Sequence, residues 1–112
     1  MARQLLTGTD LEALDYHLVE FFAPGEQVQV ILGVDNDVSD EQLDSISGQL
    51  SNLGLNVRKI QVGSTPEWPY AVQMVFNRPA RNRGVALIPL AMAVKASFDK
   101  AGVTKFSGWR MT

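Results

Sequence analysis

The apolar positions change their period from one stretch of the chain to the next. Leu11, Leu14, Leu18, Phe21 and Phe22 recur at three- and four-residue spacing, which predicts an amphipathic helix over residues 10–22. Thr9 and Glu12 have the spacing of a capping box at its start, and Pro24-Gly25 ends it. Strict alternation follows, with Val28, Val30, Leu32 and Val34 on one face and Gln27, Gln29, Ile31 and Gly33 on the other, so residues 26–34 read as a strand. The loop Asp35-Asn36-Asp37 leads to a second capping box, Ser39 with Gln42, and to a helix whose apolar stripe is Leu43, Ile46, Leu50 and Leu53. Gly54 supplies the left-handed residue that stops it.

Residues 55–62 read as a second strand, whose alternation slips between Val57 and Ile60 as a bulge would make it slip. A third strand over 70–77 has Tyr70, Val72, Met74 and Phe76 on one face, and the two strands pair as a hairpin around the loop 63–69. Pro89 would break a helix begun at Gly84 but suits the first turn of one begun near Ile88. The last helix is therefore placed over 88–101, with Leu90, Val94 and Phe98 buried and Gly102 as its cap. Residues 103–111, carrying Phe106 and Trp109, make a final strand.

The order is helix, strand, helix, strand, strand, helix, strand. Its last six elements are two strand–helix–strand halves, and right-handed crossovers of such halves give the ferredoxin-like βαββαβ arrangement. The expectation is thus an α+β single domain over 1–112. A four-stranded antiparallel sheet with two helices on one face would span 26–111, preceded by an extra amphipathic helix over 9–23. The opposite sheet face would carry Gln27, Gln29, Ile31, Ala71, Gln73 and Val75. Each large apolar residue of the first helix gains about 1.5–3 kcal/mol on full burial, so this helix must cover that face, pack at a sheet edge or dock on another copy. Docking in a homodimer is the favoured expectation, because pairing is a common answer to the surface problem of small chains.

Size and composition narrow the functional classes. Folding of a 12.3 kDa chain buries roughly two-thirds of its surface, enough for one core. Cysteine is absent, which excludes disulfides, thiolate metal sites and cysteine nucleophiles. The start Met1-Ala2-Arg3-Gln4 leads into no apolar run of secretory type, and the longest apolar stretch, 85–94, contains Pro89 and is about half of what a membrane span needs. A soluble, cytoplasmic protein is expected, with no membrane association. The net charge of -2 conceals an uneven distribution. Residues 1–56 hold one cation, Arg3, against ten acids, while residues 57–112 hold nine cations against Glu67 and Asp99.

Candidate chemistry is sparse. The acidic loop from Asp35 to Glu41 invites a cation, but an EF-hand begun at Asp35 needs Gly at its sixth position and Glu at its twelfth, where this chain has Asp40 and Ile46. A turn followed by a helix start favoured by acidic residues accounts for it, and no metal or other cofactor is expected. His17 is the single histidine and has no partner near in sequence, and the glycines are spaced as punctuation between elements rather than as a phosphate loop. No catalytic residues are assigned, and the balance leans against an enzyme.

Arg78, Arg81 and Arg83 are the sharper signal, three guanidinium groups in a loop before a helix, suited to phosphate or carboxylate. Nucleic-acid binding is the natural extension, since the RNA-recognition motif shares this order of elements. Val72, however, stands where that motif needs its second stacking ring. Trp68, between Pro66 and Pro69, either anchors a partner or folds back as a lid. The reading is a non-enzymatic module that self-associates or binds a protein partner, with Arg78, Arg81, Arg83 and Trp68 as contact residues. Binding of nucleic acid or another anionic ligand through the arginine loop is the alternative.

Overall fold

The four stretches that alternate in the sequence form strands, and a fifth joins them. The computed structural model describes residues 6–78 and 90–112. In chain order the elements are β1 (Leu6–Gly8), α1 (Ala13–Phe21), β2 (Gln27–Val34), α2 (Asp40–Asn52), β3 (Val57–Gly63), β4 (Ala71–Asn77), α3 (Leu90–Lys100) and β5 (Phe106–Met111). They make an α+β domain with one antiparallel sheet in the order β1-β5-β2-β4-β3.

The expected four-stranded sheet is thereby corrected to five strands. In β1, Leu6, Thr7 and Gly8 pair with Met111, Arg110 and Trp109 of β5. Three residues are too few to display a period, and the pairing that makes them a strand comes from the other end of the chain. The slip in β3 is a real irregularity, since the register with β4 shifts between Val57 and Lys59.

On one sheet face Val28, Val30, Leu32 and Val34 of β2 lie beside Val72, Met74 and Phe76 of β4 and Trp109 and Met111 of β5, all buried. Residues of all three helices join them in one core: Leu14 and Leu18 of α1, Leu43, Ile46 and Leu50 of α2, Leu90, Val94 and Phe98 of α3. The first helix thus takes a place that the sequence reading did not weigh, on the helix side of its own sheet and next to α3. The added strand explains it, because β1 widens the sheet beyond β5 and leaves room for a third helix. Leu11 and Phe22, flanking α1, are buried too, while Phe21 stays 44% exposed.

The two capping boxes fare differently. At α2 the Ser39 hydroxyl accepts from the Gln42 N–H (3.2 Å) and the Gln42 side chain accepts from the Ser39 N–H (2.9 Å). At α1 the box over Thr9 and Glu12 does not form, and the helix begins at Ala13. Asp10 is engaged instead: its carboxylate accepts from the Glu12 N–H (3.1 Å), and its carbonyl accepts the indole N–H of Trp109 (2.8 Å). That bond satisfies the one polar atom of the largest fully buried side chain.

Gly54 and Gly102 close α2 and α3 alike. Both have positive φ, 93° and 87°, and the following N–H turns back to the helix, Leu55 to the Leu50 carbonyl and Val103 to the Phe98 carbonyl, each at 2.8 Å. Among the described residues no helix is long and apolar enough to cross a membrane.

Candidate functional site

The sheet face away from the helices has a floor of small residues. Gly33 of β2 pairs with Gly108 of β5 on one side and Ala71 of β4 on the other, so three neighbouring strands present nothing larger than a methyl group. Trp68, in the loop between β3 and β4, lies flat on this floor. A Cβ added at Gly33 would stand 2.5 Å from its ring, and one at Gly108 2.9 Å. The loop is held in shape by the Trp68 N–H donating to the Thr65 hydroxyl (3.1 Å) and the Thr65 N–H donating to the Trp68 carbonyl (2.9 Å).

Next to it Glu67 accepts from the Arg110 guanidinium through both carboxylate oxygens, at 3.1 and 3.0 Å. The pair ties the loop to β5. With side chains 41% and 22% exposed it contributes about 0.2–1 kcal/mol at most, because water screens it.

Further along the same face, polar side chains form a row across the sheet. The Thr112 hydroxyl donates to Gln29 (3.5 Å), the Gln29 amide donates to Gln73 (3.4 Å), and the Gln61 amide donates to the same oxygen of Gln73 (3.2 Å). The open face is therefore half closed by an indole and half laced by amides. Of the two roles that the sequence left to Trp68, the fold displays the lid, seated on the sheet rather than on the helix-side core. Trp68 is nevertheless half-buried and keeps a solvent-facing side.

Arg78 has a different place. Its guanidinium donates to the Phe22 carbonyl (2.5 Å) at the end of α1, its N–H donates to the Glu26 carbonyl (2.8 Å) and its carbonyl accepts from the Gly25 N–H (2.8 Å). A cation at a helix C-terminus is where the helix dipole favours it. Arg78 and Trp68 flank opposite ends of β4, whose six residue steps span about 20 Å, so they do not form one site. Arg81 and Arg83 lie outside the described residues.

His17 bonds through Nδ1 to the Ala13 carbonyl (2.8 Å), and its ring meets those of Tyr16, Phe21 and Trp109, an aromatic packing role. In the acidic loop, Asp37 accepts from the Val38 N–H (3.0 Å) and Asp35 from the Ser107 hydroxyl (3.5 Å). The loop borders a polar opening of about 510 Å³, closed on its far side by Gly102, Thr104 and Lys105. Among the described residues no three His, Asp or Glu side chains converge as a metal would require.

Two features escaped the sequence reading. One is the Gly33–Gly108 floor with its Arg110–Glu67 tie; a glycine inside an otherwise regular strand marks a close approach, and that signal was present at both positions. The other is the outward face of α1 and α3, where Tyr16, Val19 and Met92 are 65%, 63% and 62% exposed. No family of proteins, characterised protein or solved structure matches this chain.

Proposed function

We propose that the chain is a small non-enzymatic α+β module that works by association, first of all with a second copy of itself. The observation that carries this reading is the end of the sheet at β3, a seven-residue strand that among the described residues is paired on one side only. Its outer edge offers backbone N–H and C=O groups that another strand satisfies directly. Such an edge is long beside the three described residues of β1 at the opposite margin.

The β5-β2-β4-β3 part of the sheet with α2 and α3 in its crossovers follows the ferredoxin-like order, with β1 and α1 as an N-terminal extension of it. The fold assignment rests on that strand order, and the functional one does not depend on it.

Light scattering over a concentration series tests the reading. A mass of twice 12.3 kDa or more is expected. The monomer mass at every concentration would overturn it.

Binding of a protein partner is a second reading, favoured by Tyr16, Val19 and Met92 on the outer side of two adjacent helices. Replacing all three by Ser is expected to raise solubility. An unchanged solubility limit would remove this surface from consideration.

A further inference from the structure

The distribution of charge around β3 says how two copies would meet. β3 follows α2 after the short turn 53–56 and packs beneath it, so the strand runs back along the helix. Its Gly63 end therefore lies under the first half of α2, which carries Asp40, Glu41 and Asp44, and its Val57 end lies under the last half, which carries no charge. Next to Val57 is Arg58, exposed and in the bulge, whereas Lys59 pairs with Val75 and lies on the sheet face away from α2.

One end of this margin is acidic and the other basic. The flank of α2 that overhangs it is also known. Gln42 reaches α3 by donating to the Ala101 carbonyl (3.0 Å), and at 100° per residue Asp44, Ser47 and Ser51 lie on the opposite side of the helix, above the sheet edge.

From this we infer that two copies join edge to edge through β3, antiparallel about a two-fold axis near Ile60 and Gln61, with Arg58 of each copy beneath Asp40 and Asp44 on the other's α2. The inference rests on the self-association proposed above and supplies its surface and symmetry.

Antiparallel two-fold pairing about residues 60 and 61 sets each strand's residue 58 opposite its partner's residue 63 or 64. Like charges are thereby kept apart and opposite charges brought together at both ends. A parallel pairing would set Arg58 beside Arg58 and is disfavoured. The bulge confines regular pairing to the stretch from Lys59 to Gly63, which fixes the register. Ser47 and Ser51 are small enough for the two α2 helices to approach above the joined strands. The alternative self-contact, α1 against α1 through Tyr16 and Val19, would oppose two helices that carry Asp15 and Glu20 and no cation, so charge selects the β3 edge.

The test is a charge exchange. Arg58→Glu and Asp44→Lys are each expected to weaken dimerisation by about tenfold or more, since a substitution at a two-fold interface acts twice. The double variant D44K/R58E is expected to regain the affinity to within about threefold, with circular dichroism confirming the fold of all three. Wild-type dimerisation should also weaken as salt is raised. Hydrogen exchange gives the second readout, with β3 amides protected in the wild type and exchanging faster in each single variant. A wild-type dimer unchanged by either single substitution, or a double variant weaker than both, overturns the β3 contact and leaves self-association standing. A wild-type monomer overturns self-association itself.

Discussion

Gly33→Ala is a substitution whose sign should depend on a residue 35 positions away. In the wild type the new methyl carbon would stand 2.5 Å from the Trp68 ring, whereas carbon atoms settle at about 3.5–4.0 Å, so the indole must lift by about 1 Å or more. Overpacking of this kind costs about 1–3 kcal/mol. The upper limit is the value of the lid itself. A core Trp buries about 150–250 Å², and half of that at about 25 cal/mol per Å² gives about 2–3 kcal/mol for Trp68→Ala. With the indole removed, the three atoms nearest to the new methyl group are gone, and Ala in a strand is favoured over Gly by about 0.5–1 kcal/mol. Gly33→Ala is thus expected to destabilise the wild type by about 1–3 kcal/mol and to stabilise Trp68→Ala by about 0.5 kcal/mol. Urea unfolding of the four proteins in this cycle, followed by circular dichroism, measures both. An equal loss in the two backgrounds would refute the placement of the indole on the glycine floor.

Other consequences are shorter to state. Gly48 lies within α2 with no atom within 4 Å of where its Cβ would stand and no positive φ, so Gly48→Ala should stabilise by about 0.5–1 kcal/mol in thermal unfolding. A loss would mean that α2 is bent or crowded there. Asp15 accepts from the N–H groups of Leu90 and Ala91 at the start of α3, and Asp15→Ala should cost about 1–2 kcal/mol. Asp15→Asn should cost less, because it retains an acceptor; equal effects would argue against a capping role. Arg78→Ala should lower stability by about 1–2 kcal/mol with no anion present, through the bond to Phe22. Unchanged denaturation would return Arg78 to the pool of free surface cations.

How much was legible in the sequence depended on the range of the interaction. The alternation from Gln27 to Val34, the Ser39–Gln42 box and the turns at Gly54 and Gly102 are set within a few residues, and they form where their spacing placed them. The slip near Val57 likewise announced the bulge. The Thr9–Glu12 box had an equally good spacing and yielded to a distant competitor. Pairing of Gly8 with Trp109 holds the chain in β1, and the Trp109 indole claims the Asp10 carbonyl. Local propensity is a weak prior against such tertiary contacts. The glycine floor failed to be noticed for a related reason. Each glycine reads locally as a weak point in its strand, and only the pairing of β2 with β5 shows that the two lie side by side beneath one ring.

The strand that escaped notice joins the two ends of the described chain, since Leu6 pairs with Met111. Asp10 meets Trp109 and Asp15 meets Leu90 across the same gap. Contacts of such sequence separation raise the contact order and slow folding, because loop closure precedes any return from the contacts it allows. They also make unfolding more nearly all-or-none, since the first turn of α3 lacks its acceptor and the largest core side chain lacks its partner until the early residues have returned. A chain emerging in order from N- to C-terminus would hold β1 and α1 unsatisfied to the last. Conversely, the proximity of Leu6 to Met111 suits the domain to circular permutation, with a short linker joining Thr112 to Leu6 and new termini opened in the exposed turn 35–37.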